Sequence, residues 1–453
     1  MAMTGKERVF AALRHQVPDA VPWVPFAGVH AGKLVGYSAI EVLTDVEKLV
    51  EALLAVNRLY MPDGQPVVFD LQIEAEILGC QLLWAQEAPP SVADHPLAQE
   101  MVVPTHIPGP DDGRLPIVLE AMRRLKAAVG DTTALYGLVT GPLTLASHLR
   151  GSDIFMDMFD HPDYVHALLA YTTRVAQRIA TLYREAGMDV IAVVDPLVSQ
   201  VSARTFKQYL HGPFSQLFRD ISELGAFSSF FVCGDATKNI EAMCLTEPDS
   251  ISVDENINLP AAKTITDRYD ITIGGNIPLT TCMLLGNQQD NIKFVVDLLA
   301  EVDHNNLIVA PGCDMPYDTP IENTIGAAQA THDPGTYREV VRNYHRATLD
   351  IEIDLPDYQH MERPLIEVFT LDSATCAACA YMLDAAQRVA AELGERVEMV
   401  EYKITVPENI ARMAKLGITN LPSILINGEL KYSSIIPSHR ELLEAVSAHI
   451  TEA

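Results

Sequence analysis

The chain has 453 residues, 48% of them hydrophobic and 20% charged, and this composition excludes a disordered chain. A formal net charge of -28 excludes binding to a nucleic-acid backbone, which needs clustered Lys and Arg. No apolar run reaches the roughly 18 to 20 residues that span a bilayer, so we expect no membrane partner.

The N-terminal segment, residues 1–16, predicts an amphipathic helix rather than an export signal. Thr4 and Glu7 have the spacing of a capping box. An apolar stripe then runs from Val9 to Leu13. We therefore expect a cytoplasmic protein in a reducing compartment. The seven cysteines, scattered and odd in number, then indicate metal ligands or redox thiols rather than a framework of structural disulfides.

Eight short β-rich segments alternate with helical patterns over the first 340 or so residues. The predicted strands are Val21–Ala27, Pro66–Asp70, Ala134–Thr140, Asp189–Asp195, Phe227–Cys233, Ile251–Asp254, Ile271–Asn276 and Leu307–Pro311. The segments between them carry the spacing of amphipathic helices. Eight βα units favour a closed (β/α)8 TIM barrel, and we assign residues 1–347 to it.

In such a barrel, functional residues follow the C-terminal ends of the strands. The polar residues and cysteines at these predicted ends include His30, Glu74, Asp195, Cys233, Asp254, Glu255, Asn276 and Cys313. Asp and Asn are also common turn formers, which explains some of these positions without function. Turn formation explains two cysteines at two strand ends less readily.

A second, smaller α/β domain is predicted at residues 364–453, after a linker at 348–363. The linker contains Pro356 and acidic residues with little periodicity. The domain opens with a strand and continues as helix, strand, helix, strand–turn–strand and helix.

The motif Cys376-Ala377-Ala378-Cys379 follows the first strand of this domain and opens a helix. A thiol at a helix N-terminus is more easily ionised, and the second cysteine is placed to resolve a mixed disulfide. With Pro422 before a later strand, this order resembles the thioredoxin and glutaredoxin family, in which the matching proline is cis. Cys376 and Cys379 are therefore predicted redox residues, although a C-x-x-C motif is also found as half of a zinc site.

Cys233 and Cys313 end the fifth and eighth predicted strands and would face one cavity in a barrel. Two thiolates in one cavity suit zinc, which accepts sulfur ligands and usually takes four. A metal-bound thiol is deprotonated near neutral pH, so zinc would make it a nucleophile. The equal alternative is that each cysteine is a small buried hydrophobe.

Several ordered segments of the first domain resemble the uroporphyrinogen-decarboxylase-like superfamily, and within it the corrinoid-dependent methyltransferase branch that includes methylcobamide:coenzyme M methyltransferases. They include Glu74–Cys80, Gly141–Ala146, Val232–Asp235, Gly275–Ile277 and Ala310–Cys313. The decarboxylases carry an arginine-rich loop after the first strand, whereas residues 26–32 here contain no arginine. The resemblance therefore makes porphyrinogen decarboxylation an unexpected activity.

The methyltransferase branch binds zinc through a His-x-Cys at the fifth strand and a Cys at the eighth. The resemblance implies Cys233 and Cys313 as two zinc ligands, but Phe231 occupies the histidine position. His30 is our predicted third ligand, with His148 or Glu74 as alternatives.

The resemblance also implies the reaction: transfer of a methyl group between a methyl corrinoid, free or on a separate corrinoid protein, and a small thiol. His30, Glu74 and Asn276 are the predicted substrate or corrinoid contacts, and Asp195 is predicted to orient a thiol or act as a base. Two other readings stay open. One is a non-catalytic corrinoid or organometal binder with a redox-switch domain, and the other is a decarboxylase of another acid that grips its substrate with Lys33 or Arg150.

Overall fold

The computed structural model describes residues 2–345, 351–371 and 377–450. The chain divides into two compact units. One comprises Met1–Val198 and Ser202–His345, and the other comprises Ser199–Val201 and Arg346–Ala453. The first three residues of the predicted linker, 348–350, lie outside the described residues.

A curled parallel sheet forms the centre of the first unit. Within the described residues its seven strands follow one another around the sheet in the order β1, β4, β5, β6, β7, β8 and β9, and β2 pairs with β3 apart from it. The strands are β1 (Gly64–Pro66), β2 (Leu82–Leu83), β3 (Ser91–Val92), β4 (Ala134–Thr140), β5 (Val190–Val194), β6 (Phe227–Val232), β7 (Ser250–Val253), β8 (Thr272–Ile277) and β9 (Leu307–Pro311).

A short extended segment around Trp23 closes this sheet into a barrel. On one side Trp23 forms a parallel bridge with Val309 of β9, where the Val24 amide donates to the Val309 carbonyl at 2.9 Å. On the other side the Trp23 carbonyl accepts from the amide of Gly64, at the start of β1, at 3.2 Å. Hydrogen bonds therefore connect the last strand to the first, and the predicted (β/α)8 TIM-barrel fold is confirmed.

The first predicted strand, 21–27, is wrong in extent because Pro22 and Pro25 lack the amide hydrogens that a continuous ladder needs. The second was predicted at Pro66–Asp70 but lies at Gly64–Pro66. The other six agree with the predicted positions to within two residues at each end.

Helices surround the barrel. Those of the first unit are α1 (Gly5–Leu13), α2 (His30–Lys33), α3 (Ala39–Thr44), α4 (Val46–Tyr60), α5 (Ile73–Ile77), α6 (Leu115–Val129), α7 (Pro142–Arg150), α8 (Ile154–Asp160), α9 (Pro162–Glu185), α10 (Ala203–Thr205), α11 (His211–Glu223), α12 (Ile240–Cys244), α13 (Leu259–Thr266), α14 (Gln288–Glu301), α15 (Ile321–His332) and α16 (Pro334–Val340). The capping box predicted from Thr4 and Glu7 is present at the start of α1.

Tighter or wider helical turns occur between these elements. 3-10 turns lie at Pro196–Gln200, Thr237–Asn239, Asp267–Tyr269 and Gly394–Arg396, and π-helical turns at Phe206–Leu210 and Leu279–Leu284.

Apolar and aromatic side chains fill the barrel interior. Phe26, Phe69, Tyr136 and Phe231 are buried in one cluster together with aliphatic residues of β5 and β9. The ring centroids of Phe26 and Phe231 are 4.8 Å apart. The barrel is therefore a packed core rather than a pore, and chemistry is confined to its mouth.

The second unit has a four-stranded mixed sheet in the order β11–β10–β12–β13 within the described residues. Its strands are β10 (Leu365–Thr370), β11 (Glu398–Lys403), β12 (Ser423–Ile426) and β13 (Glu429–Ser433), and its helices are α17 (Ala377–Leu393), α18 (Pro407–Lys415) and α19 (His439–Ser447). β10 pairs in parallel with β11 and antiparallel with β12. The peptide bond before Pro422 is cis, as the thioredoxin resemblance predicted.

Candidate active site

The barrel fold brings Cys233 and Cys313 together. Cys233 follows β6 and Cys313 follows shortly after β9, with 80 residues of chain between them. Their Cα atoms are 6.2 Å apart and their sulfur atoms form a disulfide. Both residues are half-buried against the aromatic core. The two sulfur atoms therefore lie together at one mouth of the barrel as a covalent pair, and their role as metal ligands stays a prediction.

The other cysteines that the structure describes have different surroundings. Cys80, Cys244, Cys282 and Cys379 are all buried. Burial raises the pKa of the Cys80 and Cys244 thiols to about 12, which keeps them protonated and unreactive. Among the described cysteines, only the pair at the barrel mouth is partly exposed.

Phe231 forms an apolar floor beneath the pair. It lies two residues before Cys233, and alternation along a strand places both side chains on one face. Its side chain is fully buried, with the Phe69 ring 5.6 Å away between centroids. The position at which the family resemblance implies a zinc-binding histidine is here part of the hydrocarbon core.

His30 is buried and both of its ring nitrogens are used within the fold. Nδ1 lies 2.8 Å from the Tyr317 carbonyl, and Nε2 lies 2.7 Å from the Tyr60 hydroxyl. Burial lowers the pKa of His30 to about 4, so the ring is neutral near pH 7. These contacts account for His30 without a metal or a substrate.

His148 lies on α7, where its ring is buried and its Nδ1 has no hydrogen-bond partner among the described residues. Burial lowers its pKa to about 3. Its backbone carbonyl accepts from the Cys80 thiol at 3.3 Å. Across the described part of the chain, no group of three or more His, Cys, Asp and Glu residues is arranged to hold a metal ion.

Glu74 joins α5 to the end of β4. Its carboxylate accepts the Thr140 amide at 3.0 Å and lies 2.7 Å from the Thr140 hydroxyl. Burial raises the pKa of Glu74 to about 7. The carboxyl is therefore divided between its two protonation states at neutral pH.

Asp195 caps the first turn of α7. Its carboxylate accepts the amides of Leu143 and Thr144 at 2.9 and 3.2 Å, and the Thr144 hydroxyl at 2.7 Å. Burial raises its pKa to about 6 despite these donors. Every one of these contacts holds the β4–α7 junction in place, which makes Asp195 a positioning residue in this structure.

Asn276 braces the end of β7 from the neighbouring strand. Its side-chain amide donates to the backbone carbonyls of Asp254 and Ile257 at 2.9 and 2.7 Å. The peptide bond between Gly275 and Asn276 is cis. The amide group is thus held by the backbone of the loop after β7.

Carboxyl groups that we did not select as site residues surround the cysteine pair. Asp254 accepts the amide of Gly234, the residue after Cys233, and Asp314 accepts the Gly28 amide at 2.8 Å. Glu255 accepts the Leu279 amide at 3.2 Å. The signal for Asp254 and Asp314 was their position at a strand end or beside a cysteine, but such positions are also ordinary turns.

Arg114 is a buried cation that sequence reasoning missed. Its guanidinium contacts the Asp70 carboxylate at 2.6 Å and that of Glu76 at 2.7 Å, and it stacks 4.9 Å from the centre of the Trp84 ring. The loop containing Arg114 has no strand signal, and only the fold brings it under the end of β1.

Lys33 and Arg150, the two residues that could form a carboxylate clamp, make contacts within the protein. Arg150 is buried, pairs with Asp157 at 2.6 Å and donates to the Leu97 carbonyl at 2.8 Å. Arg150 is not a solvated surface charge, because α7 places it against the neighbouring α8. Lys33 pairs with Asp318 and is partly exposed.

In the second unit, Cys379 lies in the first turn of α17 and is buried. Cys376 lies outside the described residues. The predicted dithiol chemistry of the C-x-x-C motif therefore stays a prediction. None of the helices in the described ranges is long and apolar enough to cross a membrane.

Comparison with known proteins assigns both units. Residues 4–333 match the uroporphyrinogen decarboxylase (URO-D) family, and residues 365–447 match a thioredoxin domain. The chain belongs to the URO-D family. The C-terminal thioredoxin domain agrees with the sheet topology and the cis proline described above.

Its similar proteins include methyltransferases. Methylcobamide:CoM methyltransferase MtbA of Methanosarcina acetivorans is 28% identical over 329 residues, covering 71% of this chain and 95% of that protein. Methylcobamide:CoM methyltransferase MtaA of Methanosarcina barkeri (strain Fusaro) is 29% identical over 332 residues, with the same two coverages. A solved methyltransferase from Methanosarcina mazei superposes with a TM-score of 0.67 at 25% identity, covering 73% of this chain and 98% of that one. A Wolbachia uroporphyrinogen decarboxylase is 25% identical over 294 residues.

Proposed function

We propose that the barrel catalyses transfer of a methyl group between a methyl corrinoid and a thiol. The observation that carries the proposal is the pairing of Cys233 and Cys313 at the mouth of a barrel that is similar, over 95% of their length, to methylcobamide:CoM methyltransferases. In this reaction a thiolate sulfur bonds to the methyl carbon while the carbon–cobalt bond breaks. The electron pair of that bond stays with the corrinoid.

The protein's contribution in this proposal is placement. The aromatic cluster that includes Phe231 excludes water from beneath the cysteine pair. Exclusion of water increases the nucleophilicity of a thiolate. Asp195 and Asn276 hold the loops around the mouth through the backbone contacts described above. A corrinoid and a small thiol are the substrates, and a separate corrinoid protein is a proposed partner.

Zinc, which we predicted as the activator of the thiolate, fits these residues poorly. Cys233 and Cys313 supply two soft sulfur donors, whereas zinc takes three or four protein ligands. The described residues offer no third: Phe231 has no donor atom, and both nitrogens of His30 are used elsewhere. We therefore derive no step through zinc, and the metal stays a prediction to be tested by metal analysis of the reduced protein.

The test of the proposal uses the full chain, pre-reduced, with methylcobalamin and a series of thiols that includes coenzyme M. Loss of the methyl group is followed in the corrinoid absorption spectrum. Cys233→Ser and Cys313→Ser should each lower the rate about 100-fold, the scale of loss when the geometry of a reacting centre is displaced. Cys244→Ala, a buried cysteine away from the strand ends, is the matched control and should keep the wild-type rate.

A non-catalytic corrinoid or organometal binder is the second candidate, and Phe231 is the observation that favours it. In that case methylcobalamin binds, with a shift in its spectrum, but keeps its methyl group with every thiol. The same experiment separates the two candidates, because binding without demethylation by the wild-type protein contradicts the enzyme.

A further inference from the structure

We propose that Cys233 and Cys313 form a reversible redox pair that accepts two electrons from a dithiol. The proposal starts from the pairing itself: two cysteines 80 residues apart in sequence lie with Cα atoms 6.2 Å apart and are disulfide-bonded. This separation falls within the usual range for a disulfide of about 4.4–6.8 Å. A pair held this way closes and opens without moving the strands that carry it.

Access is the second observation. Exchange begins when a thiolate attacks one sulfur of a disulfide, so that sulfur must be reachable. Cys233 and Cys313 are both half-buried, whereas Cys80, Cys244 and Cys282 elsewhere in the barrel unit are buried. The pair also follows the C-terminal ends of two strands, where functional residues of a barrel collect. Within the described residues it is therefore the cysteine group of the barrel that fits redox exchange.

The third observation is the ligand set. In a metal site the two sulfurs would be separated by the ion and completed by further ligands. Here Phe231 gives a hydrocarbon surface on the same strand face as Cys233, and the described residues supply no third ligand. Two thiols over an apolar floor, with no third His, Cys, Asp or Glu of the described residues arranged to complete a coordination shell, favour a covalent sulfur–sulfur bond over a resident metal.

The exchange balances with a dithiol as the named reductant. One thiolate of the dithiol attacks a sulfur of the pair, which forms a mixed disulfide and releases the other barrel sulfur as a thiolate. The second thiolate of the dithiol then attacks the mixed disulfide and releases the remaining barrel sulfur. Both released thiolates take up protons, so two electrons and two protons reach Cys233 and Cys313 and the dithiol becomes a disulfide.

The dithiol has two possible sources. One is the Cys376–Cys379 motif of the same chain, whose covalent attachment gives a high effective concentration. The other is a free or separate dithiol. Either source gives the same products in the barrel. Reduction opens two thiols at the mouth, and oxidation blocks both, so the pair acts as a gate on the site. The redox step itself does not depend on the proposed methyl transfer.

The test follows thiol alkylation of the full chain by peptide mass spectrometry after equilibration in mixtures of reduced and oxidised dithiothreitol. Cys233 and Cys313 should become alkylated together. Their reduced fraction should rise from about one tenth to nine tenths as the reduction potential of the mixture falls by about 60 mV, the span of a two-electron couple. Cys80 and Cys244 should stay unlabelled in the folded protein. This readout is independent of methyl transfer, so its failure and failure of the proposed function are distinguishable.

Three results would overturn the proposal. The first is full labelling of both cysteines at every mixture, and the second is a disulfide that dithiothreitol leaves intact until the protein unfolds. The third is labelling of Cys233 under oxidising conditions that is the same in the Cys313→Ala variant as in the wild type. The wild-type titration stands alone if that variant does not fold.

A second arm identifies the source of electrons. Glutathione is the only source of electrons in this arm. If the chain's own motif is the donor, the barrel pair should be reduced at least about tenfold faster in the wild type than in the Cys376→Ser/Cys379→Ser variant. Equal rates in the two proteins assign the role to a separate dithiol, and the redox pair stands in both cases.

Discussion

The two cysteine pairs of this chain are separated by very different lengths of sequence. Cys376 and Cys379 are three residues apart along the chain. Cys233 and Cys313 are separated by 80 residues and come together only because β6 and β9 belong to one closed sheet. The first pair is close in sequence alone, whereas the second depends on the stability of the whole barrel.

The two tryptophans allow the stability of the barrel to be measured separately from that of the second unit. Trp23 and Trp84 lie in the first unit, so tryptophan fluorescence reports unfolding of the barrel and not of the thioredoxin domain. A change confined to the barrel should alter this signal, and a change confined to the second unit should leave it unaltered.

The largest expected effect is that of Arg114→Met. It leaves the Asp70 carboxylate buried without its cation, which should lower the free energy of unfolding of the barrel by about 3–5 kcal/mol. Tryptophan fluorescence in a urea titration measures it. The control is Arg124→Met, which removes an exposed pair with Glu47 and should leave the free energy of unfolding nearly unchanged. Equal costs for the two variants would contradict a structural role for the buried cation.

Asp195→Asn tests how the barrel tolerates a buried acid at its mouth. The pKa of Asp195 is raised from 3.8 to about 6, so the folded state binds the proton more tightly than the unfolded state. The contribution of this group to stability is therefore full below pH 4 and is lost as the pH rises to 6, by about 3 kcal/mol. The Asn variant should lack this decline.

The measurement is the free energy of unfolding from urea titrations at several pH values between 4 and 7.5, again by fluorescence. Asp131→Asn, at an exposed position before β4, is the control and should keep the wild-type profile. A variant with the same decline as the wild type would show that Asp195 is not the titrating group.

Phe231→His tests whether the barrel pair differs from a metal site by one residue. On the same strand face as Cys233, the imidazole would add a third donor to the two sulfurs. Zinc affinity of the reduced protein should rise about 100-fold, since even an outer-shell partner changes metal affinity 10–100-fold. Competition with a chromogenic chelator measures it. Phe69→His, in the same cluster but not on a cysteine-bearing strand, should show no gain.

The smallest expected effect lies in the second unit. The Tyr358 hydroxyl donates to the buried Glu367 carboxylate at 2.9 Å, and Tyr358→Phe removes this donor. The cost should be about 1–2 kcal/mol, seen as faster amide hydrogen exchange in β10. The tryptophan transition of the barrel should not move. A shift in that transition would show that the two units do not unfold independently.

Much of the architecture follows from the sequence because periodicity reflects local geometry. The predicted strands from Ala134 to Pro311 and the elements of the thioredoxin domain agree with the structure, since alternation and helical spacing depend on near neighbours. The first two predicted strands failed in extent. In the first, Pro22 and Pro25 interrupt the donor pattern, and in both only pairing across the barrel decides which amides are used.

By itself, the sequence determined the barrel, the second domain and the two strand ends that carry Cys233 and Cys313. Only the tertiary structure decided that these sulfurs form a disulfide, that Phe231 lies in the core beside them and that both nitrogens of His30 are used by Tyr60 and Tyr317. The physical reason is distance along the chain. Contacts between residues tens or hundreds of positions apart exist only once the barrel has closed, and no local pattern encodes them.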